Sequence, residues 1–175
     1  MTHSETLRPT LLESRAWLLA LIFVAGNIAL PQICHLVPQG GLRWLPIYFF
    51  TLIAAFRYGR AVGLVTALAS PLLNAWLFHM PPAEALPAIL LKSTLLALAA
   101  SYFSARRGLA LPVALVLTVA SYQLLGGCAE MLLTRSLAAP LHDVTTGLPG
   151  LLLQIFGGWA LLRCLQSPRN EHKNS

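Results

Sequence analysis

The chain has 175 residues, of which 57% are hydrophobic and only 10% charged. A soluble domain carries about 25% charged residues, so this chain has too little charge to cover a water-exposed surface, and its mean hydropathy is +0.69. Soluble-enzyme, disordered, collagen-like and disulfide-scaffold classes are set aside, and an all-α integral membrane protein is expected.

A membrane-crossing helix needs about 20 mostly apolar residues. Residues 1–15 read as a polar tail. The first span, 16–36, lies in a charge-free stretch between Arg15 and Arg43. It carries Asn27 near its middle and His35 near its end, and is too long and clean for a signal-peptide core. Pro38-Gln39-Gly40-Gly41 closes it. The second span, 43–58, is short and ends in the tight turn Tyr58-Gly59-Arg60. The third, 61–80, has Ser70 and Asn74 on one face and His79 just before Pro81-Pro82. The fourth, 85–104, is interrupted by Lys92 and stops at Arg106-Arg107-Gly108. The fifth, 108–133, aligns Gln123, Gly127 and Glu130 on one face. Residues 136–147 form the longest outer loop. The sixth span, 145–164, carries Gln154 on the face shared by Asp143, Thr146 and Gly150. A polar tail, 166–175, follows, leaving a membrane domain of six helices over 16–165.

The positive-inside rule orients these spans. With both termini cytoplasmic, Arg8, Arg15, Arg57, Arg60, Arg106, Arg107, Arg163, Arg169 and Lys173 all fall inside, leaving Arg43 and Arg135 outside and Lys92 within a span. The net charge of +6 is thereby read as topology and not as a nucleic-acid surface.

Depth then sorts the polar residues. Asn27, His35, Asn74, His79, Lys92, Gln123, Glu130 and Gln154 all fall at or above the expected midplane, and the cytoplasmic half is nearly all Leu, Ala, Val and Ile. Polar groups in a membrane are costly and mark functional sites by default. The pattern suits a polar pocket that opens outward over an apolar plug. Several assignments stay open. Lys92 snorkels, or pairs with Glu84 or Glu130; Glu130 pairs most simply with Arg135; Asn74 and Gln123 either bond between helices or face a solute. Trp44, Tyr48 and Trp76 read as an outer aromatic belt.

No phosphate-binding loop, GxSxG elbow or HExxH pair occurs in the sequence. The three cysteines lack CxxC spacing. An enzyme is disfavoured, and neither a metal site nor a cofactor in this chain is expected.

The run Gly41-Leu42-Arg43-Trp44-Leu45-Pro46-Ile47-Tyr48-Phe49-Phe50, with Phe56-Arg57-Tyr58-Gly59-Arg60-Ala61-Val62-Gly63, resembles part of the substrate-binding (S) components of energy-coupling factor (ECF) transporters. Ser70-Pro71-Leu72-Leu73-Asn74 and His79-Met80-Pro81-Pro82 are similar to that family's third helix and its outer end. The resemblance is clearest over residues 38–104. It implies a six-helix fold in the bacterial cytoplasmic membrane that holds a vitamin or similar micronutrient in an outward-facing pocket. It implies a lid over 37–43, including Gln39, Gly40, Gly41 and Arg43. It also implies docking through Ala16/Ala20 and Ala25/Ala29 to a transmembrane coupling subunit, with two ATPase subunits that consume ATP. Lys92 stands where similar members carry a glutamate, which hints at an anionic ligand. The chain begins Met1-Thr2-His3, unlike the Met-His start of cobalt and nickel members, so metal uptake is disfavoured. Two rivals remain: a membrane scaffold of the cell-shape machinery, similar to the MreD type, and a haem- or metal-handling protein using His35 and His79.

Overall fold

The computed structural model describes residues 9, 10 and 13–166. Most of the expected tails, 1–15 and 166–175, lies outside the described residues. Among those residues every regular element is helical: α1 Ser14–Cys34, α2 Gly40–Trp44, α3 Pro46–Tyr58, α4 Arg60–Phe78, α5 Leu86–Ser104, α6 Leu111–Thr134, α7 Ala138–Leu152 and α8 Gly158–Gln166. A π-helical turn, Leu153–Gly157, joins α7 to α8.

Five segments are long and apolar enough to cross a membrane: Ser14–Cys34, Arg60–Phe78, Leu86–Ser104, Leu111–Leu132 and Ala138–Leu165. Their outward faces are apolar: Leu21, Ile22, Leu124 and Phe156 are all more than half exposed. A surface of this kind fits lipid and not water. The architecture is that of an all-helical, multi-pass membrane protein.

The expected second span is where sequence and structure part. It is divided at Leu45, whose φ of 46° puts it in the left-handed region. Pro46 then starts α3, where its missing N–H costs nothing. At 13 residues, α3 is about 20 Å long, against a hydrocarbon core of about 30 Å. It is also the most enclosed helix. Residues 51–56 are buried without interruption, as a helix apolar on all sides must be. It packs against α1, α4 and α5. Gly59, at φ 89°, makes the reversal into α4. A Cβ on Gly63 would clash with the Cβ of Ala55, so α3 and α4 meet almost backbone to backbone. The Gly59/Gly63 pair therefore serves packing within this chain.

The last span also differs. The expected loop over 136–147 is mostly helix, since α7 already begins at Ala138. The apolar helical rod runs from Ala138 to Leu165, through the π-turn. Contacts between elements mark two ends of the bundle. At one end Arg57 reaches the backbone oxygen of Leu165 at 3.4 Å. The other end gathers the start of α5, the end of α6 and the start of α7.

Candidate functional site

Lys92, one turn and a half into α5, is the centre of that second end. Its Nζ donates to Glu130 Oε2 on α6 at 2.5 Å and to Asp143 Oδ2 on α7 at 2.7 Å. Lys92 is 5% exposed, and its two partners keep 18% and 24% of their side chains accessible. The lysine stem needs room to lie across α6, and Gly126 supplies it: a Cβ there would come within 2.6 Å of Lys92 Cγ. The ammonium is thus held by charge-assisted bonds to two helices and does not snorkel. Glu130 turns to Lys92, which settles its partner in favour of the lysine over Arg135.

These three groups line a cavity of about 820 Å³, together with Leu42, Tyr48, Glu84, His142 and Thr146. A second, smaller cavity of about 330 Å³ adjoins it and is lined by Pro31, His35, Gly41, Asn74, Met80 and Pro82 among others. Leu42, Ala85 and Ile89 belong to both walls. Leu42 sits on α2, inside the segment expected to be a lid. Gly41 lines the smaller cavity, Gln39 and Arg43 are exposed, and Gly40 is buried.

Asn27 and Asn74 are committed elsewhere. Asn27 Nδ2 donates to Thr51 Oγ1 at 2.9 Å and Ser70 Oγ at 3.2 Å, while its Oδ1 accepts from the Phe50 N–H at 3.1 Å. Asn74 Nδ2 donates to the Asn27 and Ser70 backbone oxygens, both at 3.0 Å. These bonds tie α1, α3 and α4 together in a buried knot. Asn74 Oδ1 alone is left without a partner, and Asn74 is the one member of the knot that reaches a cavity wall.

Gln154 lies in the π-turn and is fully buried. Its Oε1 accepts from Tyr122 Oη at 3.0 Å, and the Tyr122 ring packs at a tilt against Tyr48, 5.6 Å between centroids. Gln123 is half-buried with Nε2 unpartnered. His79 closes α4 in the left-handed region and is exposed. The eight expected site residues therefore separate into a charged cavity holding Lys92 and Glu130, a smaller cavity holding His35 and Asn74, and four residues on neither wall. Of the alanine pairs, Ala16 and Ala20 are spent on core packing at 1% and 2% exposure, while Ala25 and Ala29 are exposed.

Asp143 is not among the expected site residues, although the sequence places it at the start of the sixth span. The stripe Asp143, Thr146, Gly150 already pointed to helix there. Tyr48, expected in the aromatic belt, is instead 4% exposed and lines the Lys92 cavity. Trp44 and Trp76 are exposed as expected of a belt. Among the described residues no three His, Cys, Asp or Glu side chains converge to hold a metal ion. The chain matches no family model, no curated protein and no solved structure.

Proposed function

We propose that this protein is a membrane-embedded substrate-capture subunit, of the ECF S-component kind, which takes a small micronutrient-type solute into the cavity around Lys92. The observation that supports this most is the cavity itself. Its volume of about 820 Å³ falls within the range of small-molecule sites, and it brings charged groups from three helices together at one end of the bundle. The basic residues of the inside loops orient that end outward, with α3 as the short sixth crossing. The segment 37–43 would serve as the lid; of it, Leu42 lines both cavities and Gly41 the smaller one. Release inside requires partners: a coupling subunit, reached through the exposed Ala25/Ala29 face, and ATPase subunits, since this chain has no phosphate loop of its own.

The test is to purify the protein in nanodiscs and identify by mass spectrometry what is released on denaturation. A single organic solute, bound one to one, is expected. Absence of any released compound, and of any thermal shift across a vitamin panel, would sink the reading. Pull-down separates it from the scaffold rival: ATPase subunits are expected, whereas cell-wall synthesis proteins would favour the scaffold.

A further inference from the structure

We infer that the solute is an organic cation, received by the carboxylates of Glu130, Asp143 and Glu84 at the wall formed by Tyr48. This rests on the capture reading of the same cavity, and it reverses the sign that Lys92 alone had hinted at. The lysine's charge is already spent. Two of its three ammonium protons go to Glu130 and Asp143 at 2.5 and 2.7 Å. The cavity wall as a whole sets this one ammonium against three carboxylates, counting Glu84. For Glu130 and Asp143, whose side chains are 18% and 24% accessible, this charge is screened less than in water; the exposed Glu84 adds a weaker, solvent-screened charge. An anion would enter against it.

The acceptors are also in place. Each carboxylate gives Lys92 a single oxygen. Glu130 Oε1 and Asp143 Oδ1 have no hydrogen-bond partner among the described residues. Tyr48 supplies an independent sign. It is 4% exposed and lines the cavity, yet its hydroxyl has no partner among the described residues. Its oxygen can accept from an ammonium, and its ring face attracts cations. The Lys92 ammonium holds the point between the two carboxylates that a bare metal ion would need. That leaves the outer oxygens, which suit an ammonium or amidinium on a larger organic frame, and the cavity is large enough for one.

The experiment compares benzylamine, benzyl alcohol and benzoate, one skeleton with three charges, by thermal shift and calorimetry on nanodisc protein. It also records the charge of any compound released on denaturation. Benzylamine binding, or a released compound that is cationic, is expected. Glu130→Gln and Glu84→Gln should each weaken binding of that cation by about tenfold. Glu84 is exposed and outside the Lys92 pairs, so its variant tests the charge without touching the fold. Benzoate binding in preference to the amine, a released anion, or cation binding unchanged in both variants overturns the assignment and leaves capture standing. No binding by any of the three and no released compound overturns both.

Discussion

The bundle holds two polar clusters in the same half, and they use their atoms differently. The Asn27 knot satisfies itself: Thr51, Ser70, the Phe50 N–H and two backbone oxygens take up all of its polar atoms except Asn74 Oδ1. Its four side chains are between 0% and 2% exposed. The Lys92 cluster is matched only in part: Glu130 and Asp143 each give one oxygen to the lysine, and both residues line a cavity. A buried polar group in a membrane bundle is therefore not in itself a site. Groups that close on one another act as structural fasteners, and groups that stop halfway leave binding capacity for something else.

Substitutions can break this contrast. The largest effect is expected at Lys92→Met, which leaves Glu130 and Asp143 facing each other without a counter-ion. Removing one member of a buried ion cluster costs about 3 kcal/mol or more, read as a drop in thermal unfolding in nanodiscs. The triple variant Lys92→Met, Glu130→Gln, Asp143→Asn should regain most of that loss, since it removes the charges together. If Lys92→Met alone is neutral, the cluster is not held by charge.

Asn27→Leu comes next. It strands Ser70 and the Phe50 N–H in a dry interior and removes the donor to Thr51, at about 2 kcal/mol. Here the readout that matters is double: stability falls, while solute affinity of the folded fraction stays the same. A loss of affinity equal to that of Glu130→Gln would erase the distinction between knot and cavity.

Gly126→Ala tests how the lysine is seated. The added methyl meets Lys92 Cγ at 2.6 Å, so the stem must shift, at about 1.5 kcal/mol of overpacking. Pairing it with Lys92→Met should abolish that penalty if the clash is the cause. The smallest effect is expected at Gln154→Leu, which removes one bond to Tyr122, about 1 kcal/mol. Because Tyr122 packs against the cavity wall at Tyr48, a modest change in solute affinity should accompany it, measured by calorimetry.

Some of this was legible in the residues alone. Charge-free stretches of adequate length dictate where helices can cross a bilayer, because backbone groups in lipid must bond within their own helix. The sequence by itself thus determined an all-helical chain with apolar helices of membrane-crossing length, four of them to within about three residues at each end. Even the pairing of Lys92 with Glu130 was among its open options. Only the tertiary structure decided the rest. Leu45 breaks the second span through a left-handed backbone that no composition window registers. Asp143 enters the site because α7 starts early enough to carry it there. Asn27 and Asn74 look like site residues by depth, and packing turned one toward Thr51 and the other toward the Asn27 backbone. Depth along a helix is a local property, which the sequence contains. Which face meets a neighbour and which meets a cavity depends on how three or more helices pack at once, and that is settled only when they do.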